Sequence, residues 1–224
     1  MSGVPPVSTA LLRNVPLLSL LSESELALLA RVVSRKSYVR GARILGAGDP
    51  TDSLYVLISG RIKVFMSDLD GKEVILSILG PNEFFGEMGL IDNSPRSANV
   101  VAIEPCELIC ISKPDFKRCL ADNFDMAMTV MRGLVKRLRE ADKQIGSLAL
   151  MDVFGRVARL LLETAEIVGG EKVVTKKLSK QDIARMIGAS REMVSRVMKH
   201  LQEAGYIEVR ADSIVIRANI LLPD

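Results

Sequence analysis

Residues 124–152 read FDMAMTVMRGLVKRLREADKQIGSLALMD and carry the pattern that organises the rest of the chain. Apolar side chains recur alternately three and four positions apart, at Phe124, Ala127, Met131, Leu134, Leu138, Ala141, Ile145 and Leu148. This a/d heptad spacing, with no proline to interrupt it, predicts a long helix whose apolar seam packs against a partner helix. An ordinary core helix is the alternative, although a compact domain rarely needs one so long. We interpret residues 124–152 as a coiled-coil dimerisation helix that joins two domains.

The 224-residue chain has an ordinary composition for a globular protein, with 48% hydrophobic and 25% charged residues. Its length suits one or two domains. No charged segment followed by an apolar one marks a secretion signal, and no apolar run reaches the roughly 18 residues of a membrane helix. The three cysteines are odd in number and set in apolar sequence, which is typical of reduced packing residues. We therefore expect a cytoplasmic protein that does not bind a membrane.

The net charge of +3 is unevenly distributed along the chain. Residues 1–152 hold 18 Lys and Arg and 18 Asp and Glu, whereas residues 153–224 hold 12 basic and 9 acidic residues. The whole excess of positive charge therefore lies in the last third. A small basic domain beside a neutral one is a weak indication of a polyanionic partner.

The region between Ser37 and Ile111 consists of short β-rich runs separated by turns. Residues 54–58, 61–65 and 73–78 are joined by Ser-Gly and Asp-Gly sequences, which mark tight hairpins. Strands this short and this closely spaced predict an antiparallel barrel or sandwich.

Helical segments flank and interrupt this β region. We expect residues 1–13 to form a loose arm and residues 17–33 to form a helix that starts at the Ser22-Glu23-Ser24-Glu25 signal. Residues 84–91 are interpreted as a helical interruption, and a short helix is expected after Pro114. The chain then divides into a β-rich domain (14–123), the long helix (124–152) and a C-terminal domain (153–224).

The C-terminal domain is predicted to be a winged helix-turn-helix. We expect a helix over about 153–168, a brief strand near Val173, two short helices, and a hairpin built from 206–210 and 214–216. The first short helix starts at Ser179, with Asp182 three residues on in a capping-box arrangement. Gly188 then breaks the helix, and Ser190 caps the second helix, which stops at Gly205. Two short helices across a glycine turn, followed by a hairpin wing, are typical of DNA-binding domains.

The first two turns of the second short helix carry Arg191, Glu192 and Arg196. Arginine offers two donors to guanine O6 and N7, and glutamate accepts from cytosine N4, so these types suit reading of base edges. Ser179, Lys180 and Ser190 lie at helix starts, which suits contacts with backbone phosphates. The alternative is a solvated charged helix, because Glu192 and Arg196 also form an i,i+4 pair.

Residues 178–197 resemble the helix-turn-helix of the cyclic-AMP receptor/fumarate-nitrate regulator (CRP/FNR) family of bacterial transcription factors, and Ser190-Arg-Glu-Met-Val-Ser-Arg196 is similar to its base-reading segment. The resemblance extends over about residues 14–218. It implies an α+β fold with an N-terminal cyclic-nucleotide-binding β-roll, a dimerisation helix and a C-terminal winged helix-turn-helix. It also implies a homodimer on double-stranded DNA, in which Arg191 and Arg196 contact guanines, and Glu192 a cytosine, of a TGTGA-like half-site.

Phe85-Gly-Glu-Met-Gly-Leu90 and Pro95-Arg-Ser-Ala98 are similar to the phosphate-binding cassette of cyclic-nucleotide domains. The residues so assigned to ligand binding are Gly86, Glu87, Met88, Arg96 and Ser97. A short helix after Gly86 presents free N–H groups to an anion, Arg96 can pair with a cyclic phosphate, and Glu87 can accept from a ribose hydroxyl. Ser97 adds a phosphate donor. The alternative is a Glu–Arg pair that bridges two loops without any ligand.

The long helix departs from the family pattern where it should meet the base. The cyclic-AMP receptor presents a Thr-Ser pair there, and Ala141 and Asp142 occupy the matching positions. Alanine cannot bond a base, whereas a carboxylate suits the N1–H and N2–H donors of guanine better than adenine. Arg137 matches a family arginine near the phosphate and is expected to hold Glu87. The expected effector is a small nucleotide, with cyclic AMP, cyclic GMP and cyclic di-GMP as candidates; family members without a nucleotide exist as well.

Other classes of function are disfavoured by the residues. The first 105 residues lack the cysteine cluster of an iron–sulfur sensor, and the lone His200, an expected surface residue, lies outside the β domain that would need a haem ligand. No nucleophile–base pair or metal-ligand spacing indicates an enzyme, so we expect no catalytic residue, metal or cofactor. A nucleotide module acting on a protein partner would have no use for Arg191 and Arg196.

The family resemblance implies contact with RNA polymerase. The Val168-Gly-Gly-Glu171 loop is shorter than the activating loop of the cyclic-AMP receptor, so repression stays open beside activation.

Overall fold

The computed structural model describes residues 7–175 and 178–217. The chain divides into two compact units, Met1–Arg137 and Leu138–Asp224, and the boundary falls inside the long helix. No helix within the described ranges is both long and apolar enough to cross a membrane.

Among the described residues, side-chain caps begin seven of the helices, which explains where the sequence starts them. These caps are Ser8, Ser22, Ser112, Asn123, Asp152, Ser179 and Ser190, each of which accepts a hydrogen bond from a backbone N–H of the first turn. The helices are α1 (Thr9–Arg13), α2 (Glu23–Val32), α3 (Met88–Asp92), α4 (Lys113–Asp122), α5 (Phe124–Leu150), α6 (Val153–Thr164), α7 (Lys180–Ile187) and α8 (Arg191–Glu203).

Within the described residues the strands form three antiparallel sheets of four strands each. They are β1 (Ser34–Tyr38), β2 (Arg43–Leu45), β3 (Ser53–Ser59), β4 (Ile62–Ser67), β5 (Glu73–Leu79), β6 (Phe84–Phe85), β7 (Asn99–Ala102), β8 (Cys106–Ser112), β9 (Glu166–Val168), β10 (Glu171–Val174), β11 (Ile207–Val209) and β12 (Ile214–Ile216). The first unit holds the sheets β1-β8-β3-β6 and β2-β7-β4-β5, and the second unit holds β11-β12-β10-β9. The expected α+β fold, with a β domain, a long helix and a helix-turn-helix, is confirmed. The hairpin expected at Asp70-Gly71 forms between β4 and β5, but the one expected at Ser59-Gly60 is wrong, because the chain crosses there from one sheet to the other.

Strand β3 is apolar on both faces because each face meets a different core. Leu54 and Val56 pack with the N-terminal helices and α4, whereas Tyr55 and Leu57 pack between the two sheets. Successive side chains of a strand point to opposite faces, so a continuous apolar run is the pattern that a doubly covered strand needs. Full burial of a leucine such as Leu57 contributes about 1.5–3 kcal/mol to the stability of the fold.

The N-terminal segment differs from the loose arm expected for residues 1–13. Residues 1–6 lie outside the described ranges, but α1 forms at Thr9 and buries Leu12 completely. Val15, Leu17 and Leu18 are buried in the same core, so the apolar residues of this segment fill space beneath the β domain. The helix expected over 17–33 is correspondingly shorter and starts at Glu23, after the capping box of Ser22.

The helical interruption expected over residues 84–91 is also shorter than predicted. Phe84 and Phe85 form β6, which pairs with Val56 and Tyr55 of β3. Gly86 has a φ of 83°, a left-handed conformation that breaks a helix, so α3 starts only at Met88.

Helix α5 has an inner and an outer face. Met126 and Val130 are buried in the core of the first unit, and Leu134 packs against the same core. The outer face exposes Phe124, Met131, Val135, Leu138, Ile145 and Leu148. Leu134, predicted for the seam, is partly buried and packs against the core of its own unit, while Val135 beside it is exposed. The apolar stripe itself is present and uncovered in the single chain.

The second unit packs α6, α7 and α8 on its sheet, around a core that includes Val157, Leu161, Val194 and Ile214. The helix expected over 153–168 was wrong in its last turn. Helix α6 ends at Thr164, and β9 pairs with β10 across a two-residue turn in which Gly169 and Gly170 have φ of 59° and 85°. Two consecutive positive φ values suit a tight hairpin turn, and glycine adopts them at little cost. The hairpin of β11 and β12 forms as expected.

Candidate ligand and DNA sites

The cassette between β6 and α3 brings two charged side chains into the interior. Among the described residues, Glu87 and Arg96 are the buried charged ones, with 1% and 5% exposure. Gly86 makes room for Arg96, because a Cβ built at this glycine would lie 2.5 Å from Arg96 Nη1. Burial of charge is costly unless it is paired and hydrogen-bonded, so both groups need partners.

Arg96 is held mainly by backbone carbonyls. Its Nη1 donates to Gly86 O at 2.7 Å and its Nη2 to Ser53 O at 2.7 Å, while the Asp52 carboxylate lies 3.4 Å from Nη2. The guanidinium also lies over the ring of Tyr55, 5.8 Å from its centroid. These bonds fix the plane of the guanidinium and use only part of its donors.

Glu87 is held by an arginine of the long helix. Arg137 Nη1 donates to Glu87 Oε1, and Arg137 Nη2 donates to Phe84 O. The Arg137 guanidinium lies 5.2 Å from the centroid of the Phe84 ring, within the range of a cation–π contact. The expected contact between Arg137 and Glu87 is thus present, and it connects α5 to the cassette inside the first unit.

Two buried polar atoms of the cassette have no partner. Among the described residues, Glu87 Oε2 and Arg96 Nε are the buried side-chain atoms without a hydrogen bond. A buried unsatisfied polar atom costs about 1–3 kcal/mol, so such atoms are rare unless a ligand or water completes them. One acceptor and one donor are what a sugar hydroxyl and a phosphate oxygen require.

The other assigned ligand residues are more exposed. Met88 is 52% exposed, and Ser97 Oγ lies 3.9 Å from Met88 Sδ, so this hydroxyl has only a weak partner. Ala141 and Asp142 are both exposed on α5, five or fewer residues beyond Arg137. Asp142 falls in the second unit of the chain.

Sequence reasoning missed three residues around Arg96. Ser53 and Asp52 meet its guanidinium at the start of β3, and Tyr55 covers its face. Tyr55 stacks on Phe85 at 5.3 Å, and burial raises the pKa of its phenol above the usual value. No motif indicated these residues, because two of the contacts use general features, a backbone carbonyl and an aromatic face.

Helices α7 and α8 form the predicted helix-turn-helix. Ser179 Oγ accepts from the Asp182 N–H at 3.0 Å, and Ser190 Oγ accepts from the Met193 N–H at 3.2 Å. Gly188 ends α7 in a left-handed conformation, with φ of 63°. Both assigned serines therefore act as helix caps in the structure, and Lys180 is exposed at the first position of α7.

Arg191, Glu192 and Arg196 are exposed at the start of α8, while Val194 and Met198 are buried on its opposite side. The backbone N–H of Glu192, the Ser190 hydroxyl and the positive charges of both arginines lower the pKa of the Glu192 carboxyl. The side chain is therefore a negatively charged acceptor between two donors. This is the constellation that base reading in a major groove requires.

The wing carries an ion-pair network on its surface. Arg217 bonds Glu208 and Glu171, and Arg210 Nε donates to Glu208 Oε1 at 2.8 Å. Hydrogen bonds from Arg210 and Arg217 lower the pKa of Glu208 to about 2. His200 is exposed, as expected, and lies edge-on to Phe154 at 5.9 Å.

The three cysteines are free. Burial raises the pKa of the Cys106 and Cys119 thiols, which disfavours the reactive thiolate. Within the described ranges no cluster of three His, Cys, Asp or Glu side chains is placed to hold a metal ion.

Comparison with known proteins agrees with both halves of the chain. Residues 35–123 match the family described as "Cyclic nucleotide-binding domain", and residues 155–218 match the "Crp-like helix-turn-helix domain". The fold and sites thus define a transcription regulator with a cyclic-nucleotide-binding domain and a DNA-binding helix-turn-helix. The chain belongs to the CRP/FNR family of bacterial transcription regulators.

Several relatives are similar over most of their length. The CRP-like cAMP-activated global transcriptional regulator of Mycobacterium tuberculosis (strain CDC 1551 / Oshkosh) is 32% identical over 197 residues, 86% of this chain and 88% of the relative. The cAMP-activated global transcriptional regulator CRP of Pasteurella multocida (strain Pm70) is 36% identical over 183 residues, 80% and 88% of the two chains. The structure of the c-di-GMP responsive global regulator CLP of Xanthomonas campestris aligns with a TM-score of 0.76 and 27% identity, covering 88% of this chain and 100% of that chain.

Proposed function

We propose that the protein is a homodimeric, nucleotide-responsive transcription regulator that binds TGTGA-like palindromes. The observation that carries the ligand half of the proposal is the burial of Glu87 and Arg96, whose Oε2 and Nε are left without partners. Glu87 is bonded by Arg137 and Arg96 by backbone carbonyls rather than by each other, and unsatisfied buried atoms of this kind are costly unless a ligand completes them. A nucleotide supplies the missing donor and acceptor.

Each cassette residue has a role that its surroundings support. Arg96 is fixed by Gly86 O and Ser53 O and would pair with the cyclic phosphate, assisted by the exposed hydroxyl of Ser97. Glu87 Oε2 would accept a hydrogen bond from a ribose hydroxyl, while Oε1 accepts from Arg137. Gly86 and Met88 would border the phosphate through their backbone, where glycine permits close approach.

The base contact is proposed for Asp142, and this residue decides between ligands. Its carboxylate is exposed on α5 and offers only acceptors, which match guanine N1–H and N2–H. Cyclic GMP and cyclic di-GMP therefore stand beside cyclic AMP as candidates. The relatives support both classes, since two are described as cAMP-activated and one as c-di-GMP responsive.

The proposed dimer joins the outer faces of two α5 helices. Exposed Met131, Leu138 and Ile145 lie on one stripe of the helix, and an isolated stripe of this kind is stable only when covered. A two-fold dimer presents two α8 helices, which would enter successive major grooves about 34 Å apart. Arg191, Glu192 and Arg196 would read the bases.

The backbone of DNA would be held by the starts of the two short helices. Lys180 would contact a phosphate, and the first N–H groups of the helices capped by Ser179 and Ser190 would do the same. These contacts position the protein without reading sequence.

The proposed switch acts through α5. A nucleotide at Glu87 strengthens the arrangement in which Arg137 holds that carboxylate, and so favours one arrangement of the paired α5 helices over another. Since α5 continues to Leu150, a change in the arrangement of the paired helices would change the arrangement of the DNA-reading domains that follow them.

Contact with RNA polymerase is proposed on a surface other than the β9–β10 turn. That turn contains only Gly169 and Gly170, which offer no side chain to a partner. Repression by occupation of a promoter is equally compatible with so small a turn.

Isothermal titration calorimetry with cyclic AMP, cyclic GMP and cyclic di-GMP tests the ligand half of the proposal. We expect saturable binding of at least one nucleotide and its loss in Arg96→Ala, with Arg61→Ala, an arginine of the β domain that pairs with Glu104, as the control. Circular dichroism checks that the variants are folded. Absence of binding to all three would refute nucleotide sensing and leave a DNA-binding regulator that acts without a nucleotide.

A further inference from the structure

The long helix contains two glycines, Gly133 and Gly146, which weaken a helix to a similar degree. Their surroundings differ. A Cβ built at Gly133 would lie 2.9 Å from Phe84 Cζ, whereas a Cβ at Gly146 meets no described atom within 4 Å. Real Cβ atoms do not approach other atoms that closely, so Gly133 makes room for a ring and Gly146 does not.

The ring that fills this space is tied to the ligand cassette. Phe84 belongs to β6, pairs with Val56 of β3, and is two residues from Gly86. Its carbonyl accepts from Arg137 Nη2, and its ring lies 5.2 Å below the Arg137 guanidinium. Gly133 and Arg137 are four residues apart and thus on the same side of α5, so the ring is enclosed by one turn of the helix.

We propose that Gly133 is a positioning residue: the notch that it leaves in α5 lets the helix approach Phe84 closely enough for Arg137 to reach Glu87. This inference rests on the proposed function, in which Glu87 Oε2 receives the ligand. With Oε1 held by Arg137, the carboxylate presents Oε2 in one orientation. A side chain at position 133 must separate the ring from the helix.

Separation is costly at this place because the ring has little freedom. The pairing of Phe84 with β3 fixes its backbone. The hydrogen bond from Arg137 Nη2 to Phe84 O limits how far α5 can move away from this strand. A helix that moves outward takes Arg137 away from Glu87, and the 1%-exposed carboxylate then loses its partner. A buried carboxylate without a partner is costly and is no longer held in one orientation, so Oε2 is no longer presented to the sugar hydroxyl.

Gly133→Ala and Gly146→Ala form a matched pair, because both replace a glycine of the same helix by the best helix former. We expect Gly133→Ala to weaken nucleotide binding by about fivefold or more and Gly146→Ala by less than about twofold, since only the first overfills a packed contact. The ligands are cyclic AMP, cyclic GMP and cyclic di-GMP, measured by calorimetry.

Phe84→Leu completes a double-mutant cycle. The shorter side chain leaves space for a Cβ at position 133, so Gly133→Ala should lower affinity and melting temperature much less in the Phe84→Leu background than in the wild type. A merely structural glycine, lacking this contact, would give the same change in both backgrounds.

The outcomes separate the inference from the function on which it rests. If the wild type binds no nucleotide, the proposed function fails, and the melting temperatures of the cycle still decide whether Gly133 and Phe84 are coupled. Equal nucleotide affinities for Gly133→Ala and Gly146→Ala, or additive changes in melting temperature for Gly133→Ala and Phe84→Leu, would overturn the proposal that Gly133 is a positioning residue.

Discussion

Leu138→Ala is the sharpest perturbation of the proposed dimer seam. Leu138 is 62% exposed on the outer face of α5 and does not belong to the buried core of the single chain. Leu28 on α2 is 64% exposed and is also a helical leucine, so Leu28→Ala is a control of equal chemistry and exposure. Only the first substitution should affect association.

The magnitude follows from the area that a partner helix would cover. Full burial of a leucine is worth about 1.5–3 kcal/mol, so covering the exposed part of Leu138 contributes about 1–2 kcal/mol for each protomer. A two-fold dimer contains the contact twice, which makes about 2–4 kcal/mol per dimer. At about 1.4 kcal/mol for each factor of ten, the dimer dissociation constant should rise roughly 30- to 800-fold.

Sedimentation equilibrium over a dilution series measures this constant directly. We expect the wild type and Leu28→Ala to dissociate at the same concentration and Leu138→Ala at a much higher one. Identical curves for all three proteins, with the wild type dimeric, would mean that the dimer forms elsewhere. A monomeric wild type at all concentrations would refute the seam altogether.

Three further predictions concern single side chains. Arg196→Ala should reduce the preference for a TGTGA palindrome over random DNA by about 1–3 kcal/mol of binding free energy. Lys199→Ala, on the same helix, should change the affinities for the two DNAs alike. Gel shift with both DNAs measures the ratio of these affinities. Arg137→Ala should lower the free energy of unfolding by about 1–3 kcal/mol because Glu87 is left buried and unpaired, and adding Glu87→Gln should recover part of the loss in denaturant unfolding. Because the folded pKa of Glu208 is about 2, below its ordinary 4.5, its contribution to stability is present above pH 4.5 and is lost as the pH falls through about 2. The stability difference between wild type and Glu208→Gln should therefore shrink over that range of pH; a difference independent of pH would contradict the ion-pair network.

The elements that local chemistry specifies were predictable from sequence. Ser22, Ser179 and Ser190 begin helices because a hydroxyl at that position satisfies a free N–H of the first turn. Gly188 ends α7 because it adopts a left-handed conformation without strain. The β4–β5 hairpin follows from the local signal at Asp70-Gly71, whereas the tight hairpin predicted at Ser59-Gly60 was wrong because β3 and β4 belong to different sheets.

Features that depend on the packing of distant segments were not predictable. Leu134 and Val135 are both apolar, and only the core of the first unit decides that Leu134 faces inward. Residues 166–168 are a different case, because their local signal, the turn at Gly169 and Gly170, was present in the sequence and pairs them as a strand with β10 although they continue an apolar helical pattern. Helix propensity is a weak preference that tertiary contacts override.

The candidate site shows the same division. Glu87 and Arg96 were found from a motif, but their burial and their two unpaired atoms are properties of the folded chain. In the sequence Gly133 is only a residue that weakens a helix, and the folded chain alone places the Phe84 ring beside it. A glycine that makes room for a residue almost fifty positions away leaves no local signal.

Coupling between nucleotide and DNA is the central claim, and fluorescence anisotropy of a labelled TGTGA palindrome tests it most directly. Affinity is measured without ligand and with saturating cyclic AMP, cyclic GMP or cyclic di-GMP, at one fixed salt concentration because phosphate contacts depend on salt. The account predicts that at least one nucleotide changes the DNA affinity by about fivefold or more, as expected for a coupling of about 1–3 kcal/mol, and that Arg96→Ala abolishes the change. An affinity for the palindrome that is the same under all four conditions would contradict the account.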